Sequence, residues 1–310
     1  MESFQSNASC DGQKGFCGAD ASDSYEQMNK PIEMYLFIDP LSYNCWSFEP
    51  IIKKLVMEYG HYFIVRYVIG GRLESWNAYK KSITTKSHHA HSLPPFSAKI
   101  SRSGIQCDEK LYHSPKIEPP YLAFIAIKAA ELQGKRAGFK YLQKLREHLF
   151  LNEVPLTTEL IYQCAEEAQL DFEEFKKDIY SKGAHKAFQC DVRFNFEMEV
   201  EEYPTIVLFN GNVEEEGIKI PGQYAYEVYT QVMEEMIGQK INKQSLKNLA
   251  SFVKQFQLVS TKEISKVYNL SPQEVECKMK KMQLQRIVER IESSHGIFWR
   301  YIKKRMHKKR

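Results

Sequence analysis

The chain has 310 residues, 13% of them aromatic, and a net charge of only +4. That is enough length for two ordinary domains or one large one, and the absence of any run of about 18 apolar residues argues against a membrane helix. Seven cysteines, odd in number and scattered, argue against a disulfide framework.

The modest total hides a division. Residues 241–310 hold 17 basic and 5 acidic side chains, a net +12, whereas the residues before them hold 26 and 34, a net −8. This is the sharpest domain-boundary signal in the chain.

Residues 1–30 are polar and lack an apolar signal core, so they read as a flexible leader of a cytoplasmic protein. Residues 32–38 are β-prone and bounded by Pro31 and Pro40, as a buried strand is. After the loop "DPLSYNCW", Phe48, Ile51, Ile52, Leu55, Val56 and Tyr59 follow helical spacing up to Gly60. "HYFIVRYVIGG" is a second strand, and a β-α-β unit implies a parallel pair. Residues 77–118, rich in Ser, Lys and His, read as a long excursion. Four helical patterns follow, with Thr157 or Thr158, and Asp171, where N-caps belong. "EEYPTIVLFNGN" and "EEEGIKIPG" predict two strands joined through Asn210-Gly211, and "QYAYEVYTQVMEEMIG" a closing helix. The order predicts an α/β, thioredoxin-like domain over residues 31–240 with a helical insertion at about 77–195.

The basic end reads differently. "QSLKNLASFVKQFQLV" is a helical pattern, and "STKEISKVYNL" a short helix with Ser260 or Thr261 as cap and Glu263 behind it. In "SPQEVECKMKKMQLQ", Ser271 is the cap, Pro272 the first helical residue and Glu274 the partner in a capping box. Two β-prone runs flank Ser293-Ser294-His295-Gly296. Three helices and a hairpin predict a basic winged-helix-like domain over 241–310.

A strand, a loop with one cysteine and a helix is where a thioredoxin-type protein keeps its Cys-x-x-Cys pair. The first cysteine of that pair attacks as a thiolate stabilised by the helix N-terminus. Here the positions hold Ser42 and Cys45. A serine hydroxyl stays protonated at pH 7, and Cys45 alone closes no disulfide within the motif. The motif is therefore degenerate, and neither dithiol exchange nor a cofactor is expected. The plain reading of Cys45 is a small apolar residue beneath the helix. Tyr203-Pro204, just before a returning strand, sits where this fold places a cis peptide, with the preceding backbone open to an extended partner segment. The candidate partner-binding residues are Ser42, Tyr43, Cys45, Trp46, Tyr203 and Pro204, with Trp46 and Tyr203 as aromatic anchors.

The stretches "KPIEMYLFIDPLSYNCWSFEPIIKKL", "AAELQGKRAGFKYLQKLREHLF" and "EEYPTIVLF" resemble the DsbA-like branch of the thioredoxin superfamily. More narrowly, the chain resembles the SpxH (YjbH) family of cytosolic adapters over about residues 30–310. The resemblance implies a non-enzymatic adapter that binds the stress regulator Spx and promotes its degradation by the ClpXP protease. Members of that family have Cys/His-rich N-terminal regions associated with zinc. This leader offers only Cys10 and Cys17, two ligands at most, and has no nearby histidine.

Two other readings stand beside it. Kappa-class glutathione transferases use a serine at the start of this helix, where Ser42 would activate a glutathione thiolate; nothing else in the chain marks a glutathione site. The +12 region and its "KKRMHKKR" tail suit phosphate contacts, and the candidate recognition helix carries Lys278, Lys280 and Lys281. That helix has no Arg or Asn for reading bases, so nucleic acid is not favoured and a basic surface for an acidic partner is. His88, His89 and His91 lie too close together for a rigid tetrahedral metal site and read as a solvated loop.

Overall fold

The computed structural model describes residues 30–71, 119–212 and 214–302. The leader with Cys10 and Cys17, the histidines at 88, 89 and 91, and the "KKRMHKKR" tail lie outside the described residues.

Strand β1 (Ile32–Ile38) is the organiser. It pairs in parallel with β2 (Phe63–Ile69), with Ile32 opposite Phe63 and Ile38 opposite Ile69. On its other side it pairs antiparallel with β3 (Thr205–Asn210), which in turn pairs with β4 (Ile218–Pro221), giving the order β2-β1-β3-β4. Helix α1 (Tyr43–Tyr59) links β1 to β2 and buries Phe48, Ile52, Leu55 and Tyr59 against the sheet, as the spacing predicted. Pro50 inside α1 lacks the N–H that would bond to the Trp46 carbonyl, so one rung of the ladder is missing while the helix runs on to Tyr59.

Between β2 and β3 lies the helical block: α2 (Pro119–Leu132), α3 (Lys135–Arg146), α4 (Thr158–Glu167), α5 (Phe172–Asp178) and α6 (Lys182–Glu197). Helix α2 is buried at every residue from Leu122 to Ala130, Lys128 included. Thr157 and Asp171 are N-caps, each accepting from the N–H three residues on. The last of the four helical patterns, "DFEEFKKDIYSKGAHKAFQ", forms two helices and not one. The chain turns at Tyr180-Ser181, and the Ser181 hydroxyl accepts from the Ala184 N–H to start α6 afresh. Helix α7 (Tyr226–Ile237) closes this part and ends at Gly238, whose φ of 72° is the left-handed conformation that terminates helices.

The remaining elements are α8 (Leu249–Phe256), β5 (Leu258–Ser260), α9 (Thr261–Tyr268), α10 (Pro272–Leu284), β6 (Val288–Ser293) and β7 (Gly296–Tyr301). Ser260 and Ser271 each complete a capping box, with Glu263 and Glu274. The helix expected to run through Val259 stops at Phe256. Gln257 takes φ of 64°, the chain reverses, and Leu258 to Ser260 pair with Phe298 to Arg300. The hairpin β6–β7 thus gains a third strand, in the order β5-β7-β6.

These elements enclose a core of their own around Phe252, Val253, Ile264, Val267, Val275, Met279 and Trp299. The Trp299 indole N–H donates to the Thr261 hydroxyl at 2.9 Å, so its polar atom is satisfied inside. Met57 of α1 belongs to this second core, not the first. The helix therefore serves both.

Candidate functional site

Because β1 and β2 are parallel, they end at the same edge of the sheet, and β3 begins there, with Thr205 opposite Phe37. The loop after β1 and the Tyr203-Pro204 pair thus meet at one end of the sheet. The Tyr203–Pro204 peptide is cis, as the sequence position implied. The Tyr203 hydroxyl donates to Asn195 Oδ1 at 2.9 Å. It packs against Gly70 so closely that a Cβ there would lie 2.4 Å from it.

Asp39 shapes the loop. Its carbonyl accepts from the Ser42 N–H at 3.1 Å, its carboxylate from the Leu41 N–H at 2.9 Å, and its own N–H donates to Cys45 Sγ at 3.4 Å. Cys45 is 2% exposed. Burial pushes its thiol up to about 11; the nearby Arg146 guanidinium and the Asp39 N–H oppose the shift without cancelling it. Ser42 precedes the first helical residue, but its side chain does not cap it. No acidic residue stands in the first turn of α1, so the positive end of the helix dipole is open.

Beneath the loop runs a chain of alternating charges. Arg146, 1% exposed, donates from Nε to the Pro40 carbonyl at 3.4 Å and from Nη1 to Glu49 at 2.7 Å. Glu49 meets Lys53 at 3.3 Å, and Lys53 meets Glu263 of α9 at 2.6 Å. Burial alone would depress the Lys53 ammonium, but the Glu263 and Glu49 carboxylates outweigh it and hold its pKa above the ordinary lysine value.

Beside the loop the rings converge. Trp46 lies between Phe150, at 5.4 Å and 23°, and Phe298 of β7, at 5.7 Å and 4°. Tyr43 packs edge-on to Phe150 and against His295 of the hairpin turn. Phe150 is delivered by a π-helical turn, Glu147–Leu151, that continues α3. At the rim, Arg300 pairs with Glu147, and the Ser294 hydroxyl donates to Glu153.

Comparison with known proteins gives the arrangement a family. The model of the family described as Thioredoxin matches residues 35–231. The ClpXP adapter protein SpxH of Halalkalibacterium halodurans is 42% identical over 309 residues, covering 97% of this chain and 100% of that protein. The chain belongs to the SpxH family. The SpxH of Bacillus licheniformis is 43% identical over 274 residues, covering 88% of this chain and 89% of that one. Among solved structures, DsbA2 of Pseudomonas aeruginosa is 12% identical with a TM-score of 0.42, covering 67% of this chain and 89% of that one.

In this SpxH-family chain the six residues expected at the docking face stand in unequal positions. Tyr43 is 47% exposed, Ser42 and Tyr203 are half-buried, and Cys45 and Pro204 are buried. Trp46, expected as an anchor for a partner, is half-buried and stacks on two rings of its own chain, Phe150 and Phe298 of the β6–β7 hairpin. The buried residues contribute the shape of the turn; the exposed ring is Tyr43. Sequence reasoning missed Phe150, His295, Phe298 and Arg146. "HLFL" and "GIFW" read locally as a helix face and a strand, and nothing in either run points to position 46.

The site holds one proton-bearing thiol, while the other free cysteines among the described residues are Cys164, Cys190 and Cys277. A thiol protonated up to about pH 11 is a poor nucleophile and a poor metal ligand at neutral pH. The exposed features are a helix start with no acidic residue in its first turn and the Tyr43 ring.

Proposed function

We propose that the chain is a ClpXP adapter that works in the cytoplasm, captures Spx non-covalently and promotes its degradation without catalysing a reaction itself. The observation that carries this is the 42% identity, over 97% of the chain, to a protein named as a ClpXP adapter. Spx as cargo follows from the family name and the resemblance of the loop and its flanks. In the redox members of the fold, the face around the loop holds an extended segment during disulfide exchange. With Ser42 in the attacking position and the Cys45 thiol protonated, exchange is removed and the recognition face is left. Tyr43 takes the role of exposed aromatic anchor, a residue type enriched at interface hot spots. The basic C-terminal elements add an electrostatic contribution that speeds association.

The test is a reconstituted degradation assay with purified ClpX, ClpP and Spx. The full chain should accelerate Spx loss. Tyr43→Glu, at an exposed position, should slow that acceleration about tenfold, whereas Ser42→Ala should keep most of it. Equal Spx decay with and without the chain, together with separate elution on gel filtration, would overturn the reading.

A further inference from the structure

The four-stranded sheet ends in two unlike edges. Strand β4 is short, four residues, and carries Lys219 and Pro221, the features that discourage further pairing at an edge. Strand β2 has seven residues with neither proline nor glycine among them.

The bonds of β2 to β1 fix which of its main-chain groups face outward. The Tyr62 carbonyl accepts from the Ile32 N–H at 3.1 Å, and the Gly70 N–H donates to the Ile38 carbonyl at 2.9 Å. The even-numbered residues therefore point their main-chain groups at β1, and the odd-numbered ones point away, because the direction alternates along a strand. Both ends of the outward row are occupied by side chains. The Phe63 carbonyl accepts from Lys30 Nζ at 3.2 Å. The Ile69 N–H donates to Asp191 Oδ2 at 2.8 Å, and its carbonyl accepts from Asn195 Nδ2 at 3.2 Å. Between these ends, no described residue bonds to the main-chain N–H or C=O of Val65 or Tyr67.

The two faces of this gap differ. Val65 and Tyr67 turn their side chains to the main core, and the Tyr67 ring meets Phe139 of α3 at 5.5 Å. Arg66 lies on the other face. It reaches Glu33 at 2.9 Å through Nη2, while its Nε is buried with no partner among the described residues. Burial raises the Glu33 carboxyl, but hydrogen bonds from Tyr35 and Arg66 and the fields of Arg66 and Lys135 outweigh it and lower its pKa. Arg66 and the exposed Lys135 thus share this one carboxylate.

We infer that β2 takes, beside residues 65–67, an extended segment of a partner protein as a fifth strand, and that this segment alternates apolar with acidic residues. Main-chain pairing with Val65 and Tyr67 would supply the affinity, as in other strand additions. Side chains of the incoming strand opposite Val65 and Tyr67 fall on the apolar face, beside Phe139. Those opposite Arg66 fall beside its unused donor, where a carboxylate completes the charge balance. A second copy of this chain is the poorer occupant. Two β2 edges paired about a two-fold axis between Val65 and Tyr67 would set Arg66 opposite Arg66, and like charges directly opposite are destabilising. Residues 65–67 pair with residues 34–36 at mid-strand, whereas the Ser42 loop follows the end of β1, so the inference does not depend on the adapter reading.

The test uses the full chain and a fluorescein-labelled peptide of about nine residues in which valine alternates with glutamate. Anisotropy should show saturable binding. The same peptide N-methylated at its central amides keeps every side chain but loses its main-chain donors, and should bind about tenfold more weakly or worse. A valine–lysine peptide should lose a similar factor. Hydrogen exchange gives the second readout. The amides of Val65 and Tyr67 should exchange rapidly in the free chain and about tenfold more slowly under saturating peptide, while those of Ile64, Arg66 and Val68, turned to β1, stay slow throughout. Failure of the valine–glutamate peptide to bind, or equal binding of its N-methylated form, would overturn the inference. So would protection of Val65 and Tyr67 in the free dilute chain, which would mean that the chain covers its own edge. Protection that appears only as the chain is concentrated would also overturn it and identify a second copy as the occupant.

Discussion

The first turn of α1 and the first turns of α9 and α10 all follow a serine, and the serine before α1 behaves unlike the other two. Ser260 and Ser271 accept from the N–H three residues on while Glu263 and Glu274 reach back, which satisfies donors at both ends of the turn. Ser42 makes no such bond. A few turns later the same α1 is held tightly, with Lys53 and Met57 set into the second core's surroundings and the Glu58 carboxylate bound by Lys243 at 2.8 Å. The contrast separates two uses of one sequence feature. Where a helix start serves stability, its donors are satisfied. At the start of α1 no side chain caps the turn, and the helix is anchored through its far half instead.

The largest effect should come from breaking the held half. Lys53→Met leaves Glu263 buried without its cation, and removing one partner of a buried pair costs about 3–5 kcal/mol. Urea unfolding of the full chain measures this, and a loss below about 1 kcal/mol would show that the charges beneath the loop do not hold α1 in place. The Lys53 pKa is raised by folding. Its contribution is therefore complete below the unfolded lysine value of about 10.4 and is lost only as pH rises through the higher folded value.

A smaller difference should separate the serines. Ser260→Ala removes a working cap and should cost about 1 kcal/mol. Ser42→Ala should change stability by no more than a few tenths, about the size of an ordinary surface substitution. Equal losses in the two variants would mean that Ser42 caps α1 after all.

The smallest effect expected is at Cys45. With its thiol raised to about 11, roughly one molecule in a thousand carries the thiolate at pH 8. Iodoacetamide should modify exposed Cys190 and Cys277 well before it, and insulin reduction by the chain should stay at background. The folded pKa lies above the ordinary 9.0, so the native state binds the thiol proton more tightly than the unfolded chain does. Its share of stability is full below about pH 9 and falls as pH rises from there towards about 11. Rapid alkylation of Cys45 in the folded chain would contradict the burial on which this rests.

What could be read from the sequence follows from how local each determinant is. The β-α-β opening, the caps at Asp171 and Ser271 and the Tyr203-Pro204 turn are written in neighbouring residues, and each is where it was expected; of the alternatives Thr157 or Thr158 and Ser260 or Thr261, the first of each is the cap. Strand β5 was hidden because three residues following a helical pattern look like its last turn. Only the pairing of Val259 with Trp299 makes them a strand. Trp46 was legible as an aromatic beside a redox-type loop but not as a half-buried ring stacked on two rings of its own chain. Its partners Phe150 and Phe298 lie about 100 and 250 positions away, and periodicity carries no information over such distances.

The π-helical turn at Glu147–Leu151 has a further consequence. Its carbonyl-to-amide spacing is five residues, seen in the Asn152 N–H bond to the Glu147 carbonyl at 3.0 Å, where an α-helix would use four. The extra residue sets the angular phase of everything that follows it. A one-residue deletion within 147–151 would act as a rotation of roughly 100° rather than as a trim. It would turn Phe150 away from Trp46 and Tyr43 while leaving the composition of the segment almost unchanged. Length, more than residue identity, is what this short segment has to keep.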